Sequence, residues 1–272
     1  MSTIQSTLST NPDLPGTFLF NSIVFGPVIS RRLGSSLGIN LLPANRKVCS
    51  FNCIYCECGS TPATLNNSML PSKDKVIKEI EKALEDQKKQ NKTIDTITFA
   101  GNGEPTLHPK FPHIIESVIG LRNRYFPNSR IAVLTNASRI HKPAILNALS
   151  MIEDPVLKID SGIEKTLKLI DCPVESFNLE NAVKIMEKMK GDFILQTMFI
   201  KGVVNNTPFD NTTEEEVSAW LKIVERIKPR LVQIYSLSRI PATSDVEKID
   251  LSVLNSISER VQNINIQTLV TP

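Results

Sequence analysis

From residue 72 onward, short β-rich runs alternate with helical stretches, and no other property of the chain limits its fold as much. Ser72 can cap a helix in which Val76, Ile77, Ile80, Ala83 and Leu84 recur at helical spacing, with Lys and Glu on the opposite face. Ile94–Phe99 reads as a strand, a helix begins near Pro109 and runs to about Tyr125, and Arg130–Thr135 is the next strand. The alternation continues with a short helix over Pro143–Ser150, a strand over Val156–Ile159, an amphipathic helix over Asn178–Lys190 and a strand over Phe193–Ile200. Thr213 and Glu216 suggest a capping box for a helix ending before Pro229. Leu231–Tyr235 is a strand, and a helix from about Asp250 to Gln262 precedes the apolar Ile264–Val270. Such an order implies an α/β fold with a parallel sheet and right-handed crossovers. The count is about six main strands, fewer than the eight that close a barrel.

Before this rhythm begins, Thr17–Phe25 is β-rich and Gly26-Pro27 is read as breaking it, while Leu37–Leu42 suits a buried strand stopped by Pro43. Residues 1–20 are expected to form a flexible arm and residues 21–272 a single domain. The chain's 272 residues suffice for one large core. A net charge of +3, from 31 basic and 28 acidic side chains, is too slight to argue for nucleic acid. No apolar run is long enough for a membrane span, and the Ser/Thr/Asn-rich start does not read as a signal peptide. A reducing cytoplasm is the expected location.

Four of the five cysteines fall within ten residues: Cys49, Cys53, Cys56 and Cys58. That density suggests coordination. The spacing is too tight for a disulfide framework. A structural zinc site usually draws its ligands from two separated pairs, and only one cluster is present. Iron–sulfur clusters suit thiolates on a single loop, and three of them would leave one iron of a four-iron cluster open to a reactant. Cys58 reads as a fourth ligand, a redox thiol or a small loop side chain; the last is preferred because three ligands suffice. Cys172 is expected on a buried face.

In parallel α/β folds ligands bind where strands end. The cysteine loop follows the first strand and Gly101-Asn102-Gly103-Glu104-Pro105 the second. Asn136 follows the third and Asp160 the fourth, with Arg239 past the last main strand. Gly101 and Gly103 are expected to let the backbone approach a ligand, and an exposed Glu104 to accept from an ammonium. Arg31 and Arg32 are read mainly as structural anchors, with contact to a substrate anion as the alternative. Lys201 reads as a surface charge or a substrate contact.

Cys49-x3-Cys53-x2-Cys56, with Tyr55 before the third cysteine, resembles the signature of the radical S-adenosylmethionine (radical SAM) enzymes. Gly101–Pro105 resembles their Gly-Gly-Glu-Pro motif, with Asn102 as the departure. Residues 26–34 and 37–43 are similar to a narrower bacterial and archaeal group, the wyosine-synthase-like proteins. The resemblance implies a partial (β/α)6 TIM-barrel-like core. It implies that Cys49, Cys53 and Cys56 ligate a [4Fe–4S] cluster whose fourth iron is chelated by S-adenosylmethionine. The Gly101–Glu104 turn would receive the methionine ammonium, Asn136 its carboxylate, Asp160 the ribose hydroxyls and Tyr55 the adenine. Reductive cleavage would give a 5′-deoxyadenosyl radical that takes a hydrogen from an RNA base, a peptide or protein, or a small metabolite. A flavodoxin- or ferredoxin-like protein would supply the electron. The narrower resemblance favours RNA, whereas the slight charge and the lack of a second cysteine set count against it. Activation of a glycyl-radical enzyme is a rival within the class; a non-catalytic zinc or electron-transfer iron–sulfur module is the rival outside it.

Overall fold

The computed structural model describes residues 8–10, 17–61, 70–238 and 245–271. Its main sheet has eight strands. The first two, β3 (Val24–Ser30) and β4 (Gly34–Ile39), form an antiparallel hairpin. Ahead of them, β1 (Leu8–Thr10) and β2 (Phe18–Phe20) pair antiparallel as a separate ribbon. Parallel strands then follow from β4 through β5 (Thr96–Phe99), β6 (Arg130–Thr135), β7 (Asp154–Lys158), β8 (Ile194–Met198), β11 (Leu231–Tyr235) and β13 (Gln267–Thr271). The order β13-β11-β8-β7-β6-β5-β4-β3 leaves β3 and β13 as open edges, and the curled sheet is a half-barrel.

The crossover helices are α1 (Lys73–Lys89), α2 (Phe111–Tyr125), α3 (Pro143–Ser150), α4 (Glu164–Asp171), α5 (Leu179–Lys188), α6 (Glu214–Ile227) and α7 (Leu251–Gln262). Their apolar stripes cover the outer face of the sheet. Ile97, Phe99, Ile131, Val133, Leu157, Leu195, Val232 and Ile234 join Val76, Ile80, Leu84, Ile114, Val183, Trp220 and Leu254 in one buried core. Successive strand residues face opposite ways, so the side chains between these point into the lumen. There the lining is polar: Ser36 and Thr98 share a hydroxyl hydrogen bond of 2.7 Å, and Gln196 donates to Gln233 at 2.9 Å.

The α/β class and parallel sheet expected from the alternation hold, with a larger strand count. Gly26-Pro27 does not end β3; the strand passes through a register shift between Phe25 and Val28. The terminal apolar run adds β13, parallel to β11. Helix α4, unread in the sequence, lies between β7 and α5. A small antiparallel sheet of β9 (Ile200–Val204), β10 (Thr207–Asp210) and β12 (Val246–Lys248) caps a second apolar cluster of Ile170, Met198, Ile200, Phe209 and Leu237, with Ile54 and Tyr55 packed against it. Ser72 caps α1 as expected, accepting from Lys75 N–H. Thr213 likewise caps α6, but the Glu216 side chain does not complete the box: it accepts from Ser161 at 2.7 Å and from Thr166. Among the described residues no helix is long and apolar enough to cross a membrane.

Candidate active site

The cysteine loop lies across the C-terminal ends of the parallel strands and is fastened on two sides by backbone hydrogen bonds. On one side Val48 N–H donates to Asn102 O (2.8 Å), and Glu104 N–H donates to Val48 O (3.1 Å). On the other, Asn52 N–H donates to the Asp171 and Cys172 carbonyls (3.0 and 2.9 Å). Ile54 N–H donates to Ile170 O (3.0 Å) and Val174 N–H to Ser50 O (2.8 Å). The two motifs singled out in the sequence are therefore direct neighbours.

Gly101 and Gly103 have φ of 152° and 131°. Their missing Cβ atoms face protein. A Cβ on Gly103 would lie 1.9 Å from the Val48 carbonyl oxygen, and one on Gly101 2.5 Å from Asn40 Oδ1. These glycines let the chain approach itself. Asn102, grouped by sequence with the ligand-binding turn, turns its side chain inward. Its Oδ1 accepts from Phe20 N–H, and its Nδ2 donates to the Phe20 and Pro43 carbonyls, each at 2.8 Å. Both amide donors are consumed, one in holding β2 and the other in holding Pro43 to the turn.

Glu104 is not exposed, as sequence suggested, but 2% accessible. Its Oε1 accepts from Thr106 and from Thr135 Oγ1 (2.7 Å), and its Oε2 from Asn136 N–H (2.7 Å). Burial pushes its carboxyl up, against the pull of these hydrogen bonds. Asn136 is thereby set beside the loop, its Nδ2 donating to Ser50 Oγ (2.9 Å) and reaching Cys49 Sγ at 3.6 Å. Asp160 is fully buried. Its Oδ2 accepts from the Tyr55 hydroxyl and from Lys158 Nζ (3.1 Å), and its Oδ1 from Met198 N–H (3.0 Å). Arg239 lies outside the described residues. Lys201 is exposed and paired with Glu247 at 3.4 Å. Cys172 is half-buried in a left-handed C-cap of α4, touching the cysteine loop, because its φ of 42° turns the chain there.

Sequence reading missed the cations. Lys47, 2% exposed, donates to Gly59 O at 2.9 Å. Burial lowers its pKa, but the nearby sulfurs of Cys56, Cys49 and Cys53 outweigh that and raise it. All three motif cysteines thus act electrostatically on this one ammonium. Burial pushes Cys49 up to about 11 and holds Cys53 well above its ordinary value, whereas the neighbouring Cys58 and Lys47 lower Cys56 to about 5. Lys158, on the far side, contacts Cys53 Sγ (3.5 Å), Tyr55 Oη (3.0 Å), Asp160 and Asp171. Burial pulls its pKa down, and the two carboxylates raise it well above the usual range. The signal was present: Lys158 interrupts an apolar strand two residues before Asp160, hence on the same face.

Among the described residues no three Cys, His, Asp or Glu side chains close on a single metal ion. A four-iron cluster asks for something different, one thiolate at each of three corners. Three thiols from one backbone-fastened loop, with the buried Lys47 and the largely covered Lys158 ammonium groups to offset their charge, fit that demand.

A half-barrel carrying three thiols on the loop after its first parallel strand defines a class. The model of the Radical SAM superfamily matches residues 47–206, and the chain belongs to that superfamily. A UPF0026 protein of Methanocaldococcus jannaschii is 30% identical over 241 residues, which cover 87% of this chain and 70% of that protein. A Brachyspira hyodysenteriae protein named GTPase Obg is 35% identical over 223 residues, 79% of this chain, yet the chain spans only 30% of its length. A radical SAM methyltransferase from Sphaerobacter thermophilus superposes with a TM-score of 0.65 at 12% identity, over 97% of this chain and 77% of that one. Streptococcus suis SuiB bound to S-adenosylmethionine gives 0.61 at 14% identity, over 86% and 50%. At such identities the likeness is one of fold.

Proposed function

We propose that the chain is a radical enzyme in which Cys49, Cys53 and Cys56 hold a [4Fe–4S] cluster beside S-adenosylmethionine. The observation that supports this reading is the backbone fastening of the cysteine loop, through Val48, directly beside the Gly101–Glu104 turn, with the Lys47 ammonium buried in the same loop. When bound, the cluster supplies one electron for reductive cleavage of the sulfonium, releasing methionine and a 5′-deoxyadenosyl radical that abstracts a substrate hydrogen. The chain's own part is to position and shield. Lys47 and Lys158 offset the negative charge of the thiolates; hydrogen bonds of this kind around a cluster tune its potential. Glu104 fixes Asn136 through its backbone N–H, so Asn136 reaches the methionyl carboxylate from a held position and Glu104 acts through it. Backbone groups of the 101–104 turn take the ammonium. Tyr55 offers its ring to the adenine, with its hydroxyl tethered to Asp160. Since both Asp160 oxygens have protein donors, its contact with the ribose requires the Tyr55 hydroxyl to move aside. A flavodoxin- or ferredoxin-like reductant delivers the electron at the loop. The hydrogen donor is an RNA base, a peptide or a small metabolite.

Anaerobic reconstitution of this chain is expected to give brown protein with about four irons per chain. Under dithionite it should form equal amounts of methionine and 5′-deoxyadenosine, and Cys53→Ala should abolish both. Colourless protein retaining one zinc overturns the reading. Brown protein that never binds S-adenosylmethionine reduces it to electron transfer.

A further inference from the structure

On the lumen side the fold buries two polar atoms that have no hydrogen-bond partner, Arg32 Nη1 and Thr271 Oγ1. They meet at one residue. Arg32 comes from the turn between β3 and β4, and its guanidinium carbon lies 4.6 Å from the centroid of the Tyr235 ring. Thr271 is the register partner of Tyr235 across the β11–β13 pair. Register partners in parallel strands share a face. That face is the lumen, because Val232 and Ile234, the residues of opposite parity on β11, belong to the core beneath the helices. Tyr235 packs against the same apolar cluster as Ile54 and Tyr55 of the cysteine loop, which puts the pair on the side of the lumen that carries the loop.

Nearly all buried polar groups in folded proteins have partners, and one without them usually marks an absent water, ion or ligand. An unpartnered guanidinium N–H out of water is costly. Among the described residues no carboxylate takes this role. Asp160 and Asp171 are held by Lys158, and Arg32 forms no ion pair with any described residue. The Tyr235 ring holds the guanidinium in place by a cation–π contact and leaves its Nη1 without an acceptor.

We propose that Arg32 and Thr271, flanking the Tyr235 ring, bind an oxyanion group carried by the substrate, a carboxylate or a phosphate. The fork donates N–H bonds to two oxygens and the threonine hydroxyl adds a third bond. Anchored there, the substrate extends along the lumen toward the cysteine loop. As a substrate site this rests on the radical-enzyme reading; as an anion site it does not, and the test separates the two.

Full-length reconstituted protein is unfolded thermally in rising inorganic phosphate or acetate, with chloride at matched ionic strength as reference. The wild type shows a saturable rise in Tm with at least one of the two anions, the signature of binding to the folded state. Phosphate alone identifies a phosphorylated substrate; acetate alone identifies a carboxylate. Arg32→Gln abolishes the rise, and Arg32→Lys, lacking the fork, raises the half-saturating concentration about tenfold or more. Thr271→Val raises it by a factor of about 3, and carries the test if Arg32→Gln does not fold. Arg124→Gln, at an exposed arginine paired with Glu81, changes nothing. A wild type that follows ionic strength alone, or an Arg32→Gln variant that titrates like wild type, overturns the proposal. S-adenosylmethionine binding by equilibrium dialysis runs in parallel. Cofactor bound without an anion response sinks the Arg32 site alone; an anion response without iron or cofactor sinks the radical reading alone.

Discussion

The two faces of the main sheet are made by the same strands, yet they have little in common. Toward the helices, Leu157, Ile97, Val133 and Ile234 are 0% exposed and surrounded only by apolar groups. Toward the lumen, one residue away in sequence, stand Lys158, Thr98, Gln196, Gln233 and Tyr235. The first face is held by removal of apolar surface from water and is indifferent to direction. The second is held by directional contacts, and Lys158, Asp160 and Asp171 depend on one another there. Stability therefore has two separable sources in this fold, and only the second also serves the site.

The largest effect should come from unbalancing the charged face. Lys158→Met leaves Asp160 and Asp171 buried without their counter-cation and should cost about 3–5 kcal/mol in urea unfolding. Adding Asp171→Asn should recover part of that loss, and if it recovers none the carboxylates are not what Lys158 supports. On the other face, Leu157→Ala should cost about 3 kcal/mol by leaving a cavity, while iron content after reconstitution stays at the wild-type level. A loss of iron with Leu157→Ala would erase the distinction between the faces. At the rim, Asn102→Ala strands the Phe20 and Pro43 backbone groups and should cost about 1–3 kcal/mol.

The smallest effect concerns a pole of the barrel remote from the site. There Glu153 accepts from Ile131 N–H (2.9 Å) and Arg122 (2.9 Å). Burial alone would raise its pKa, but these donors outweigh it and hold the carboxyl below its ordinary value. A group depressed on folding adds stability that is complete above its unfolded pKa, about 4, and is lost as pH falls through the folded value. Glu153→Gln should accordingly flatten the acid limb of the stability curve. The change should be under about 1 kcal/mol, since the group is a third exposed. Unchanged acid sensitivity would assign that limb to other carboxyls.

The contrast between faces also decides what was legible in the sequence. The helix-facing residues repeat at regular spacing, so the α/β class, the parallel sheet and most crossover helices could be read. Helix α4 has only eight residues and two inward apolar positions, Leu167 and Ile170, and β9, β10 and β12 are short and partly exposed; neither signal survives at that length. The cysteine motif and the glycine turn were legible because their members are close in sequence. Glu104 was placed in the open because nothing nearby announces Thr135 and Asn136, its donors from the next strand. Lys158 and Asp171 are thirteen positions apart and meet only once α4 folds back over the lumen. Arg32 and Thr271 come from the two edges of the sheet, and no local pattern joins them.

The loop bearing the thiols is secured mainly through main-chain amides and carbonyls at Val48, Ser50, Asn52 and Ile54. Such fastening does not read side chains. The sulfur positions of Cys49, Cys53 and Cys56 are therefore set by main-chain pairing, while the side chains of Ser50 and Tyr55 between them are free of that task and serve Asn136 and Asp160 instead. A change at either side chain alters its own contacts and leaves the scaffold under the sulfurs intact.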